Sequence, residues 1–500
     1  MRAIFRATAI LGSASVVSIL VGLVSAKVGA VLLGPAGFGR FAVLQTLVTF
    51  GTLIANLGVS VGLVRLVSEA LGHDRPDEAF RLHRAAWTIC GITGAIAAVL
   101  LVLLRRPLSG SLFGDAAGAA ALVIIAPAIP LSLANAIQSG MLNAHQRVGD
   151  LARVQIGTAL VALVPTVALI ALLRERGIAP AVLAASLAGW AVCFYFYRRL
   201  PAVRPEAAQA EAGDAQARPA KALLRFGIPY MASMVFGAGV LMIMPLVILK
   251  ALGPAEVGLY RAATSISVNY LSVLLAAMSQ DYFPRVSRAA REPEALVGLI
   301  NDQVRLILLV GGPVILAMIG LVPVLIPILF SGRFTGAVDL LEWQLLGDLF
   351  KFPLWAMSYV IMARLHPRAF FLTELLGGSM LLVLSWFAMQ RWGLTGLGVA
   401  FLVNAFLMFL VEWAILRVRI GLRWTRDNAL LLAALVAAMA LVIALPPLGA
   451  AFWRMPVALA LAAVAGGFTT RVLWREFGGW EGLRAWRKPR GAALNPTGEC

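Results

Sequence analysis

Two charged side chains and an indole ring are spaced along one apolar stretch so that they would share a helical face. In the run near residues 341–363, Asp348, Lys351 and Trp355 follow one another at intervals of three and four residues. On a helix this spacing lets Asp348 and Lys351 form an ion pair while Trp355 extends the same stripe. Charged side chains inside an apolar helix are costly and mark transport pathways. A locally satisfied pair that only fixes helix packing is the alternative.

A lysine near the start of the chain is a second candidate of the same kind. Lys27 lies seven residues before Gly34, about two turns inside the end of the first apolar run. Its ammonium group can face water or a bound anion in a cavity, or its side chain can snorkel to the membrane surface.

Other polar side chains in apolar runs could bind a polar substrate or bridge helices. An arginine at the end of a run either anchors the topology or binds a phosphate. The candidates of these kinds are Gln344, Glu374, Asn135, Gln138 and Arg305. Glu412, near the end of its run, is expected to be interfacial. The four histidines, His73, His83, His145 and His366, are expected to be solvated.

The composition decides the class of protein. Of 500 residues, 61% are hydrophobic and 13% charged, and the mean hydropathy is +0.89, which predicts a polytopic membrane protein. The net charge of +18 comes from cations in short loops, a topology signal that excludes nucleic acid as a partner. Three dispersed cysteines indicate neither a disulfide framework nor a metal site. No phosphate-binding loop or catalytic assembly is present, so we expect a transporter without a cofactor and not an enzyme.

Fourteen apolar runs are long enough to span a bilayer. They lie near residues 8–32, 41–64, 85–104, 117–142, 154–173, 179–197, 223–249, 259–283, 305–330, 341–363, 369–389, 394–416, 428–446 and 455–474. The sequence therefore predicts an all-α integral membrane fold with 14 transmembrane helices. We assign a six-helix lobe to residues 1–200, a cytoplasmic linker to 201–222, a second six-helix lobe to 223–420, a two-helix hairpin to 421–476 and a basic cytoplasmic tail to 477–500.

A short motif shows that the two lobes are copies of one unit. LLGPAGFGRF at residues 32–41 returns as ALGPAEVGLY at residues 251–260, which places Gly34 and Pro35 219 positions ahead of Gly253 and Pro254. Glycine ends a helix readily and proline fits the first turn of the next, so each copy predicts a tight connection between helices.

The distribution of cations predicts the orientation. With a cytoplasmic amino terminus, inner segments hold 30 of the 42 lysines and arginines, outer segments hold 10, and only Lys27 and Lys351 lie within spans. Both termini are therefore predicted to be cytoplasmic, and the two copies enter the membrane in the same direction as parallel repeats. The outer loops are short, which disfavours a glycan polymerase because no outer catalytic domain has room.

Residues 27–39, KVGAVLLGPAGFG, and 343–364, WQLLGDLFKFPLWAMSYVIMAR, resemble the Wzx-type O-antigen translocase branch of the polysaccharide-transporter family. That family belongs to the superfamily of multidrug/oligosaccharidyl-lipid/polysaccharide (MOP) exporters, whose fold is MATE-like. The likeness extends over about residues 1–420. The positions that match the family are Lys27, Gly34, Pro35, Gln344, Gly347, Asp348, Lys351 and Glu374. The last pair of spans is a departure from the family, whose members usually have twelve spans.

The resemblance implies a flippase in the bacterial cytoplasmic (inner) membrane. Its substrate would be an undecaprenyl-diphosphate-linked oligosaccharide, an O-antigen or exopolysaccharide repeat unit, moved from the inner to the outer leaflet by alternating access. Protons, sodium ions or the membrane potential would drive it. The partners implied are the bilayer and polysaccharide assembly proteins such as a glycan polymerase.

Two alternatives remain. Fourteen spans also occur in lipid II flippases of the superfamily, although the charge pattern expected for that branch is missing from the first helix. A cation-coupled multidrug antiporter would share the fold but would prefer an acidic, aromatic cavity, whereas a diphosphate-linked lipid needs cations.

Overall fold

The computed structural model describes residues 2–113, 116–200, 214–289, 292–364, 367–445 and 451–476, and all regular secondary structure in these ranges is helical. Fifteen α-helices occur there, with two short 3-10 turns at Arg174–Gly177 and Gly332–Phe334. The helices are α1 Arg2–Asn56, α2 Val59–Gly72, α3 Pro76–Leu103, α4 Arg105–Leu112, α5 Ala116–Ile125, α6 Ala128–Ala144, α7 Val148–Leu173, α8 Ile178–Tyr197, α9 Asp214–Leu252, α10 Pro254–Arg288, α11 Pro293–Leu329, α12 Ala337–Arg364, α13 Pro367–Ile420, α14 Arg426–Ala444 and α15 Ala451–Glu476.

The predicted apolar runs coincide with these helices. Among the residues whose placement allows the search, nine helical stretches are long and apolar enough to cross a membrane. Three of them, Val17–Asn56, Val148–Tyr197 and Ala369–Ile420, contain 40, 50 and 52 residues. A bilayer core needs only about 20 residues, so each of these three is long enough to cross twice. The all-α integral membrane fold is confirmed, and the protein is a multi-pass membrane protein.

Several helix boundaries differ from the sequence-based ones. The second predicted span is interrupted by a turn at Leu57 and Gly58, both with positive φ, and the fourth by a turn at residues 126–127. The helix α9 begins at Asp214, so the end of the predicted linker at 201–222 is helical. Residues 201–213, the tail 477–500 and His366 lie outside the described residues. The lobe boundaries remain predictions.

The repeated Gly-Pro motif forms the predicted connections, and its two copies also contact each other. Gly34 and Gly253 adopt φ values of 67° and 98°, which glycine reaches without steric cost. Five residues further on, a Cβ on Gly39 would overlap the carbonyl oxygen of Pro254, and a Cβ on Gly258 would overlap that of Pro35. The contact is reciprocal, as expected where two copies of one unit meet around a pseudo-twofold axis.

The helices separate into two compact units. The first unit comprises Met1–Ser279, Pro323–Gly347 and Leu365–Met408. One of its cores is built mainly from α1, α2, α3 and α6, where Val59, Leu63 and Ile137 are fully buried. Phe38 packs edge-on against Phe330 and Phe334, with ring centroids 5.9 and 5.8 Å apart.

The second unit comprises Gln280–Val322, Asp348–Arg364 and Phe409–Cys500, and it contains the C-terminal hairpin of α14 and α15. Small residues on α11 admit this hairpin closely, because a Cβ on Gly320 would overlap the side chain of Ala458. Asn301 holds its beginning, accepting a hydrogen bond from the Thr425 amide at 3.0 Å. The hydroxyl of Thr469 donates to the Leu309 carbonyl at 2.7 Å. The hairpin is therefore hydrogen-bonded to α11 at several points along its length.

Candidate functional site

A cavity of about 880 Å³, called here the polar cavity, lies inside the first unit. Its volume is typical of pockets that hold small ligands, about 300–1,000 Å³. Ten neutral hydrogen-bonding side chains line it. They are Gln45, Thr46, Thr49, Thr52, Asn56, Ser60, Ser132, Asn135, Thr158 and Ser186.

Several of these hydroxyl groups are satisfied by their own helix. Thr46 and Thr49 on α1 donate to the carbonyls of Ala42 and Gln45 at 2.9 and 2.8 Å, and Ser186 on α8 donates to Val182 at 3.3 Å. Such bonds let a hydroxyl sit inside an apolar helix, while its oxygen can still accept another hydrogen bond. The cavity wall is thus built from hydrogen-bond acceptors that tolerate a membrane interior.

Two wall atoms have no such partner. The Thr52 hydroxyl oxygen and the Asn135 amide oxygen are buried and make no hydrogen bond within the described chain. A buried polar atom without a partner costs about 1–3 kcal/mol. Gly189 on α8 lies beside Asn135, and a Cβ there would be 3.6 Å from the amide nitrogen. Both oxygen atoms belong to helices that form the cavity wall, α1 and α6.

One cation lines the cavity. Arg261 stands on α10, the second helix of the later repeat, and its side chain keeps accessible surface. No hydrogen bond or ion pair joins it to any residue that the structure describes. A guanidinium presents five donors in a planar fork that matches phosphate and carboxylate geometry. The cavity thus combines a row of neutral acceptors with one free anion-binding group.

Neither a carboxylate nor an aromatic ring is among the residues that line the cavity in the described part of the chain. Such a wall suits hydroxylated and anionic groups together. Apolar residues such as Val48, Leu53 and Met231 also line it, but it has no negative charge for a cation. Sugar hydroxyls are both donors and acceptors, so neutral amides and hydroxyls can replace their hydration water.

Of the amide side chains that the sequence places inside apolar runs, Asn135 in the fourth run and Asn56 in the second line this cavity. Gln138, one turn further along α6, is buried with a side-chain oxygen that lacks a partner, but it is not among the cavity residues. Lys27 is exposed on α1 and does not line the cavity either. Gln344 is buried and donates from Nε2 to the Thr264 hydroxyl at 3.3 Å, three residues after Arg261.

The charged stripe on α12 lies in the second unit. Asp348 is fully buried, Lys351 is half-buried, and the predicted ion pair between them stays a prediction. Trp355 stacks on Tyr282 with centroids 5.7 Å apart and meets Tyr359 edge-on at 4.8 Å. The indole ring is therefore held by aromatic neighbours within its own unit. Gly347, before Asp348, allows α12 to approach α13, because a Cβ there would lie 2.6 Å from the Phe401 ring.

Two expectations about polar groups were wrong. Glu412 is 2% exposed and not interfacial, and both of its carboxylate oxygens accept a bond from the Ser358 hydroxyl at 2.9 Å. His83 is part-buried and not solvated, since Trp87 and Tyr197 both lie 2.9 Å from its Nε2. In each case a residue near a helix end was placed at the surface, although a neighbouring helix covers it.

The remaining candidates have separate positions. Glu374 is exposed on α13 in the first unit. Arg305 lies 3.8 Å from the Asp427 carboxylate at the start of α14, which gives the guanidinium a structural partner at the C-terminal hairpin. Cys90 and Cys193 are buried free thiols, and no group of three potential metal ligands occurs among the residues searched.

Sequence reasoning missed Arg261 and most of the cavity wall. Arg261 follows the outer turn by a few residues and was therefore counted with the outer segments. The signal that could have found it is a cation just inside an apolar run, flanked by Thr264 one turn further along the same face. The threonines and serines gave no signal, because such residues are common in transmembrane helices whether or not they line a cavity.

This helical architecture, with repeated lobes and a polar cavity within apolar helices, is that of a membrane transporter of the MOP superfamily. The family of polysaccharide biosynthesis proteins matches residues 28–339, and the chain belongs to that family.

Individual relatives agree with this placement. The lipid III flippase of Escherichia coli (strain K12) is 23% identical over 421 residues, which cover 79% of this chain and 94% of the relative. In fold, the chain is similar to lipid II flippase MurJ in an inward closed conformation, with a TM-score of 0.73 over 94% of this chain and 99% of the other at 13% identity. It is also similar to an inward-facing multidrug resistance MATE family transporter of the MOP superfamily, with a TM-score of 0.62 over 82% of this chain and 94% of the other at 14% identity.

Proposed function

We propose that the protein is a flippase that carries an undecaprenyl-diphosphate-linked oligosaccharide from the inner to the outer leaflet of the bacterial cytoplasmic membrane. The observation that carries the proposal is the polar cavity, with ten neutral hydrogen-bonding side chains and the free guanidinium of Arg261. Sugar hydroxyls cannot enter hydrocarbon without a cost of several kcal/mol each, so the protein must replace their water. Family membership supports the glycan, and the curated relative is itself a lipid III flippase.

Each part of the substrate has a matching part of the cavity. Gln45 and Thr49, which line the cavity and keep accessible surface, offer acceptor oxygens to sugar hydroxyls, and Arg261 offers paired donors to a phosphate. The polyprenyl chain needs no polar site and stays in the lipid.

Alternating access is the transport mechanism that parallel repeats support, because two similar bundles can rock about a fixed site. At Gly39 and Gly258 the backbones of the two repeats are in close contact. This contact would be one of the places where the repeats move against each other. An inside-negative potential favours outward movement of an anionic headgroup by about 2.3 kcal/mol per charge per 100 mV. Proton or sodium coupling, with Asp348 and Glu374 as the titrating groups, is part of the proposal.

The same chemistry supports a lipid II-type flippase as a second candidate. The observation that favours it is the fold match to lipid II flippase MurJ, which covers 94% of this chain, including residues beyond the 82% that matches the MATE transporter. A multidrug antiporter is disfavoured, because the cavity lining described here lacks the acidic and aromatic groups that a hydrophobic cation needs.

The test is a flipping assay in proteoliposomes with fluorescent undecaprenyl-diphosphate-linked glycans. Arg261→Gln should slow flipping at least tenfold, since a charge-assisted bond to phosphate contributes about 1.5–3 kcal/mol, whereas Arg261→Lys should keep part of the rate. Arg106→Gln, which removes an exposed arginine outside the cavity, is the matched control and should flip at the wild-type rate.

A panel of lipid-linked substrates separates the two candidates. A preference for a sugar repeat unit over a peptide-bearing lipid II supports the polysaccharide flippase, and the reverse preference supports the lipid II-type one. If Arg261→Gln flips every substrate at the wild-type rate, the cavity is not the substrate path and the proposal fails.

A further inference from the structure

A second cavity of about 500 Å³, called here the outer pocket, lies in the first unit apart from the polar cavity. Its walls are mostly apolar and come from α1, α5 and the start of α8, with Phe113 between α4 and α5. Its apolar wall residues include Leu44, Phe113, Ala121, Ile124 and Ile178. Arg40, Glu175 and Arg176 contribute the charged part of the lining. The pocket therefore has an apolar interior beside a charged edge.

The charged edge has an excess of positive charge. Arg40 forms an ion pair with Glu175, with Nη1 and Oε2 3.2 Å apart. Arg176 is exposed and has no hydrogen bond or ion pair with any residue that the structure describes. One carboxylate thus faces two guanidinium groups, and the second guanidinium remains available to an anion.

The turn that presents these charges has an unfavourable backbone. Arg174 adopts φ 52° and ψ −129°, a region that residues with a side chain rarely occupy. Its guanidinium donates to the Leu32 carbonyl at 3.4 Å, which ties the turn to α1. Gly177 closes the turn, and a Cβ there would overlap the Leu169 carbonyl. Conformations of this kind persist where the surrounding structure fixes them and are concentrated at functional sites.

The pocket lies near the ends of the apolar helices, where their lipid-facing surface gives way to charged residues. Leu172 and Leu103, near the ends of their apolar runs, are 80% and 69% exposed, as expected for side chains that face lipid. The charged turn follows directly after Leu172 and Leu173. The rim of the pocket is thus at headgroup depth, and its apolar walls lie on the hydrocarbon side.

The cations of the pocket belong to the minority that the predicted topology places outside. Under the predicted topology, this end of the first unit faces outward, where lysine and arginine are normally few. Five of the ten outer cations nevertheless belong to the three outer loops of the first half. They are Arg40, Arg105, Arg106, Arg174 and Arg176.

We propose that the outer pocket binds the phosphate headgroup of an anionic lipid in the outer leaflet, with Arg176 and Arg40 on the phosphate and the first part of an acyl or prenyl chain against Leu44, Phe113 and Ile124. Charge complementarity selects the phosphate, and the apolar interior selects a ligand that carries a hydrocarbon chain. The site is independent of the glycan proposed for the polar cavity. Two lipids share this chemistry, phosphatidylglycerol of the bilayer and a polyprenyl diphosphate carrier.

Native mass spectrometry of the purified full-length protein tests the site. Phosphatidylglycerol, zwitterionic phosphatidylethanolamine and undecaprenyl diphosphate are titrated separately. Wild-type protein should retain at least one of the two anionic lipids more tightly than phosphatidylethanolamine. Arg176→Gln should weaken that lipid about tenfold, because one charge-assisted bond is lost. The anionic lipid whose binding is weakened by Arg176→Gln is the source of the phosphate.

Two controls keep the test decisive. Arg106→Gln removes the same charge from the same group of loops but outside the pocket, so it should bind the lipid as wild type does. Ala121→Trp should fill the pocket without a change of charge and weaken the same lipid. Wild-type affinity for both anionic lipids in Arg176→Gln and Ala121→Trp would overturn the proposal, whatever the flipping assay shows for Arg261.

Discussion

The polar cavity of the first unit and the polar cluster of the second unit bury similar groups in different ways. In the cluster, the Glu412 carboxylate accepts from Ser358, and Trp355 is stacked on Tyr282, so protein partners satisfy these groups. In the cavity, the Thr52 hydroxyl oxygen and the Asn135 amide oxygen accept no hydrogen bond within the described chain, and the Arg261 guanidinium forms no ion pair there. Polar side chains in apolar helices therefore either stabilise packing or await a ligand, and their partners tell the two cases apart.

The largest effect on stability is expected at Glu412. Glu412→Ala removes both acceptors from Ser358 and leaves a void at a site that is 2% exposed. The loss should be about 3 kcal/mol of unfolding free energy, because a buried hydroxyl that loses its acceptor costs about 1–3 kcal/mol and the void adds to this. Thermal unfolding of the purified protein measures it.

Transport per folded molecule should change little in Glu412→Ala, in contrast to Arg261→Gln. A flipping rate that falls tenfold with stability intact would place Glu412 in the transport path. The polar cluster would then no longer differ from the polar cavity in its role.

A smaller effect is expected at Trp355. Trp355→Leu removes two aromatic contacts, to Tyr282 and Tyr359, each worth about 0.5–1.5 kcal/mol beyond the buried area. The melting temperature should fall by a few degrees while the affinity for a lipid-linked glycan stays unchanged. Tyr359→Leu is the matched variant, since it removes only the edge-on contacts. Weaker glycan binding by Trp355→Leu alone would restore Trp355 as a substrate-binding residue.

The smallest effect on stability, with the opposite sign, is expected at Asn135. Asn135→Leu removes a buried amide oxygen that has no partner, so the unfolding free energy should stay equal or rise by up to about 1 kcal/mol. The flipping rate should fall several-fold, because an amide that lines the cavity is lost. Asn135→Gln keeps the neutral amide and serves as the control. A variant that is less stable and flips normally would assign Asn135 to helix packing.

Much of the architecture followed from local sequence. Apolar runs of about 20 residues identified the helices, and the Gly34-Pro35 and Gly253-Pro254 pairs marked turns that the structure forms with positive φ. The interruptions at Gly58 and at residues 126–127 were missed, because an apolar run of spanning length gives no signal where it contains a turn.

The candidate site was only partly predictable. Asn135 was found because an amide inside an apolar run is conspicuous, whereas Thr52 is not. Arg261 was counted as a topology signal, since its position near an outer turn does not reveal which way its side chain points. Glu412 was placed at the surface for a similar reason, although Ser358 of a neighbouring helix covers it.

The sequence by itself determined the class of protein, the helical segments and the duplication, because hydrophobic length and a repeated Gly-Pro motif depend only on residue order. Only the tertiary structure decided which polar side chains have partners and which surround a cavity. The physical reason is that a side chain at a given position of a helix can face lipid, a neighbouring helix or water. Only the packing of the helices decides which of the three it faces.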